Sequence, residues 1–213
     1  MLFEQLKEES AAILESYATL PFIVAVRAGT VSAERYRQFL NDLYHVVWHF
    51  CPTMAVGASR CADDYSVVRY ALYEHIEDEK GHELWVLDDC RDIGGEEFVE
   101  QVKKGLPRPE IQAMNAFNYH VAERQHGAIA FAMVFALEMI SQRLGSQVSK
   151  GVAKALKLAE GQGTRFLSSH GPMDADHLVE ISGAINSISD PKVAKLMSNA
   201  VMVNYRLFAA MLS

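Results

Sequence analysis

Residues Ile129 to Ile140 read IAFAMVFALEMI, apolar on every side of a helix except for one carboxylate, Glu138. A helix apolar all round has to be sheathed by other elements or by lipid. Its uninterrupted apolar part, 128–137, is too short to cross a bilayer. The stretch is therefore read as the central helix of a protein core, and the rest of the chain must supply the sheath. Glu138 in that setting carries a large desolvation penalty unless it is paired or bound to a cation. An ion pair to an arginine, or a protonated carboxyl, would also answer that cost.

The sheath is legible as helices, because nearly every other segment has helical periodicity and none alternates as a strand would. Residues 2–18 form a first amphipathic helix, and Pro21 and Gly29 bracket a short second one. Ser32 caps a third segment reaching about Cys61, with Pro52 inside it expected to kink or break it. A fourth helix covers 65–92 and stops near Gly94-Gly95, followed by shorter helices over 96–104 and 108–124. Then come 126–144, ended by Gly145, and 146–159. After a helix over 173–187, Asp190-Pro191 opens the last one, 191–212, as N-cap and N1 proline. Short connections between long amphipathic helices predict one all-α antiparallel bundle spanning 1–213.

With 213 residues, half of them hydrophobic, the chain can bury a sizeable core. A net charge of -7 without a basic cluster excludes a nucleic-acid footprint. Cys51, Cys61 and Cys90 cannot all pair and show no C-x₂-C spacing, which fits a reducing cytoplasm. The amphipathic, acidic N-terminus is unlike a signal peptide. The expectation is a soluble cytoplasmic protein with no membrane or nucleic-acid partner.

Two further patterns carry chemistry. His170-Gly-Pro-Met-Asp174-Ala-Asp-His177 places two imidazoles and a carboxylate at i, i+4 and i+7, one face of a helix if helical geometry reaches back to His170. Its plainer reading is a solvated polar face. Glu79 and His82 have the E-x-x-H spacing that helical bundles use for carboxylate-bridged metals. With Glu138, the candidate ligands are Glu79, His82, Glu138, His170, Asp174 and His177, three imidazoles and three carboxylates. Six such groups are too many for one tetrahedral zinc and match two five- or six-coordinate ions, iron or manganese by donor type. Asp78 and Glu74 are alternatives to Glu79, and His75 has no assigned role. His45 and His49 are read as core or supporting histidines, and Tyr44, Tyr119 and Tyr205 as pocket residues.

This set resembles the heme-oxygenase-like di-iron oxidases, relatives of the chlamydial proteins that associate with death domains. Members combine an E…H pair on one helix, a glutamate on a central helix and a later H-x₃-D-x₂-H run, here Glu79 and His82, Glu138, then His170, Asp174 and His177. The resemblance implies a bundle of seven or eight main helices and two Fe(II) ions, with manganese the other option. It also implies O₂ as co-substrate and oxidation of a small organic molecule. Glu138 and Asp174 are expected to bridge the metals or shift between them, and a homodimer is the expected assembly. Thiaminase II and pyrroloquinoline quinone synthase share the fold without a metal, as an interaction module could. The cysteine of thiaminase II has no counterpart after Cys90, and no histidine precedes His45 to ligate heme.

Overall fold

The apolar stretch forms the middle of the molecule because no face of it can tolerate water. In the computed structural model, which describes residues 1–159 and 161–213 without the side chains of 171–176, it opens a helix running from Ala130 to Leu156. Among the described residues there are nine α-helices and no strand. They are α1 Leu2–Ser16, α2 Pro21–Ala28, α3 Ala33–Arg60, α4 Ser66–Glu79, α5 His82–Lys104, α6 Pro109–His120, α7 Ala130–Leu156, α8 Arg165–Asn186 and α9 Pro191–Phe208. Helix α7 packs on α8, α9, α2, α3 and α6, and α3 in turn carries α4 and α5. Phe131 and Phe135 are wholly enclosed. By length and composition Gly127–Leu156 could cross a membrane, longer than the short run read from sequence, yet 72% of its apolar window is buried inside the protein. Its own chain is its solvent.

Caps were placed well by the sequence, and interruptions less well. Ser32 accepts the Arg35 N–H at 3.1 Å and Asp190 accepts that of Lys192 at 2.8 Å, as their types require. Helix α3 is not broken at Pro52, one of the two outcomes expected there, and runs on at the cost of one donor to the Trp48 carbonyl. Gly145 does not end a helix either. Tertiary burial carries α7 three turns further, to a left-handed Lys157. The expected 65–92 helix is instead two, because Gly81 adopts φ 88° and ends α4 after Glu79. A second left-handed glycine, Gly95, kinks α5 where the sequence placed a stop.

Helix α8 has no capping side chain of its own; α5 supplies one. Asp89, fully buried, accepts the N–H groups of Arg165 at 2.7 Å and Phe166 at 3.0 Å. Just upstream, Asp92 accepts the Gly163 N–H and the Tyr36 hydroxyl donates to the Gly163 carbonyl. Burial pushes the Asp89 carboxyl up to about 6, against the two N–H donors and with Asp88 and Asp92 adding repulsion. Asp89→Ala leaves two buried N–H groups without an acceptor and should cost about 1–3 kcal/mol in urea unfolding. The folded chain also binds the Asp89 proton more tightly than the unfolded chain. Stability relative to Asp89→Asn should therefore rise as pH falls from about 6 towards 3.8, and level off below.

Candidate metal centre

Helix α4 buries only part of its charge run. Glu74, Glu77 and Asp78 face solvent, whereas His75 and Glu79, one turn apart, are 2% and 4% exposed. This settles which carboxylate turns inward. At Gly81 the chain reverses into α5, so Glu79 and His82 do not share a helix as their spacing implied. The turn nevertheless brings His82 Nδ1 to 2.8 Å from Glu79 Oε2. Helix α7 contributes Glu138. Helix α8, which does reach back past His170, contributes His170 and His177.

These side chains converge in two overlapping groups. One comprises His75, Glu79, Glu138 and His177, and the other Glu79, His82 and His170, each with its donor atoms within 4.8 Å of one another. All six residues are buried. Glu138 Oε1 lies 3.3 Å from His75 Nε2 and 3.4 Å from His177 Nδ1, and no arginine pairs with it among the described residues. Glu79 Oε1 lies 3.4 Å from His177 Nδ1 and Oε2 3.6 Å from His170 Nε2. Glu79 therefore belongs to both groups and is the carboxylate placed between them, a position expected of Glu138 and Asp174. The side chain of Asp174 lies outside the described residues.

The donor set fits cations. His75 Nε2, Glu79 Oε1 and Glu138 Oε2 are buried without a hydrogen-bond partner, a costly state for lone pairs unless an ion takes them. His170 Nδ1 donates to the Phe166 carbonyl at 2.9 Å, which turns Nε2 inward, 3.0 Å from His82 Nδ1. The His82 ring is stacked on Trp85 and that of His170 on Phe166, with centroids 4.1 and 4.0 Å apart. Nitrogen and carboxylate oxygen without thiolate suit iron or manganese.

His75 is the ligand-type residue that sequence spacing left unassigned. Its signal was H-x₃-E with Glu79, a spacing that puts both on one face of α4. His49 is engaged elsewhere, its Nδ1 3.0 Å from the Tyr119 hydroxyl, and neither it nor His45 joins the groups. Beside the cluster lies a partly open cavity whose walls include Glu79, Glu138 and His170. Tyr44, Tyr119 and Tyr205 do not line it; Tyr205 packs edge-on against Tyr17.

Burial alone would raise the Glu79 carboxyl, but hydrogen bonds and charge from His170 and His82 outweigh it and hold it well below the usual carboxylate range. Glu138 is likewise lowered despite burial, by His177 and His75, with Glu79 opposing. A carboxylate depressed in the folded state stabilises it above its unfolded pKa, and that contribution disappears on acidification. Chelator-treated protein should therefore lose urea stability as pH drops below about 4.5, and Glu79→Gln should flatten the decline.

Residues 37–204 match a family described as iron-containing redox enzymes. No curated protein matches the sequence. Among solved structures, a domain of unknown function with a heme oxygenase-like fold from Shewanella denitrificans superposes with a TM-score of 0.86 at 21% identity, over 98% of this chain and 89% of that one. A TenA homolog from Pseudomonas syringae gives 0.81 at 20%, over 98% and 90%. The heme oxygenase of Leptospira interrogans gives 0.77 at 18%, over 100% and 98%. These likenesses establish a heme oxygenase-like fold.

Proposed function

Since this chain belongs to the family of iron-containing redox enzymes, we propose that it is a non-heme di-iron oxidase acting with O₂ on a small organic substrate. The observation that supports this most is the sharing of buried Glu79 by two donor groups, an arrangement made for two adjacent ions. His75, Glu79, Glu138 and His177 would hold one ion, and Glu79, His82 and His170 the other, with Asp174 a further ligand by resemblance. Bound ferrous iron supplies the electrons that reduce O₂.

The chain's own residues do the rest. The Phe166 carbonyl holds His170 with Nε2 inward, and Trp85 limits rotation of the His82 ring. Glu79 and Glu138 neutralise only part of the charge of two divalent ions, which leaves a preference for an anionic substrate group. The apolar wall of the cavity excludes water from the reacting atoms.

Anaerobic Fe(II) titration should load about two irons per chain, the occupancy expected for a carboxylate-bridged pair. His82→Ala and His170→Ala should each lower uptake towards one, and Glu79→Ala should weaken both sites. A ferrous-specific chromophore should show bound iron oxidised by O₂ faster than free Fe(II). Wild-type uptake in all three variants, or no uptake by the parent, would overturn the reading.

A further inference from the structure

The cavity beside the cluster extends along α3 and α7, with Phe166, Leu167 and His170 of α8 on its wall as well. On α3 its wall is Phe39, Leu43, Val46, Val47 and Phe50, at i, i+4, i+7, i+8 and i+11. On α7 a stripe of Leu137, Ser141, Leu144, Gly145 and Val148 has the same spacing, with Glu138 and Ile140 beside it. One continuous face on each of these helices makes a wall of three turns.

The two stripes run in opposite directions. Gly57 of α3 abuts the start of α7, since a Cβ there would lie 2.5 Å from that of Ala130. Phe50 sits against His75, ring centroids 5.9 Å apart, and Leu137 adjoins Glu138. The Phe50 and Leu137 end is thus the cluster end. Phe39 and Val148 form the far end, where Phe208 and Leu212 join the wall. At 1.5 Å per residue the stripes are about 16 Å long.

Among the described residues the wall has almost no polar chemistry. Apart from Glu79, Glu138 and His170, the described lining residues offer one polar side chain, Ser141, whose buried hydroxyl has no hydrogen-bond partner and lies one turn from Glu138. No lysine or arginine is among them. A branched, aromatic or multiply polar ligand would leave either the cavity unfilled or its own groups unsolvated. An extended alkyl chain advances roughly 1.3 Å per carbon, from C–C bonds of about 1.5 Å at tetrahedral angles.

We propose that the substrate is an unbranched aliphatic molecule of about ten to twelve carbons, its tail between α3 and α7 and its single polar head at the Glu79, Glu138 and His170 end. This rests on the di-iron reading for the reaction and on the cavity alone for the ligand. Gly145 lines the cavity within a buried helix, where a glycine costs stability. Two carboxylates at the head end repel an anion until cations are bound, whereas a neutral head meets no such barrier.

Binding of n-alkanols and n-alkanoates from six to sixteen carbons, measured by calorimetry on chelator-treated and anaerobically Fe(II)-loaded protein, tests this. Alkanol affinity should rise about fourfold per methylene and level off near ten to twelve carbons, with or without iron. Alkanoates should bind only the iron-loaded protein. Gly145→Leu should move the plateau to about eight carbons, and Val148→Phe should shorten it by about two, both with parental iron uptake and helical circular dichroism. Affinity independent of chain length, or a plateau unmoved in both variants, would overturn the inference. Iron uptake with flat chain-length dependence removes this inference and leaves the di-iron reading standing. Chain-length-dependent binding in a protein that takes up no iron does the reverse.

Discussion

The structure turns on the burial of Glu79. A carboxylate 4% exposed survives in an apolar interior only if enough donors or cations converge on it, and here two elements outside α4, helices α5 and α8, are arranged to do so. His82 arrives across the Gly81 turn, and His170 and His177 arrive from α8. Glu138 repeats the demand from α7 and is answered by His75 and His177. Each group is a reason for its neighbours to be where they are, and among the described residues only Glu79 is common to both.

That convergence is expensive in positioning, and the fold meets the cost through α5. His82 stands at its start and Asp89 seven residues on, along one helix face. The first faces the cluster, while the second caps α8, which delivers His170 and His177. One helix thus holds a candidate ligand and anchors the element carrying two more. Helix α7 has a similar double duty. One side presents Glu138 to the cluster, and the stripe from Leu137 to Val148 walls the adjoining cavity. Chemistry and substrate room are aligned because they share a helix.

Much of the bundle was legible from local signals. Ser32 and Asp190 cap as their side chains dictate, and the apolar run around Phe131 lies at the centre because it has no wettable face. Errors cluster at glycines, whose effect depends on context. Gly81 ends a helix and Gly145 does not. The first sits at the surface end of α4, where a left-handed residue frees the chain to turn. The second lies within α7, where packing on both flanks outweighs its poor propensity. The misreading at Gly81 had a direct consequence for the site, since it put Glu79 and His82 on one helix, whereas they meet across a turn.

By itself the sequence determined that the chain is a helical bundle around one apolar helix. It also brought forward Glu79, His82, Glu138, His170, Asp174 and His177 as one candidate set, with Asp78 and Glu74 open beside Glu79, since such groups could be buried only together. Residue type and spacing suffice for that, because burying a charge without a partner is prohibitive wherever it happens. Tertiary structure alone decided that His75 joins them, that Glu79 lies between the two groups, and that a cavity extends along α3 and α7. Those outcomes depend on how helices far apart in the chain approach one another, and periodicity along a single helix carries no information about that approach.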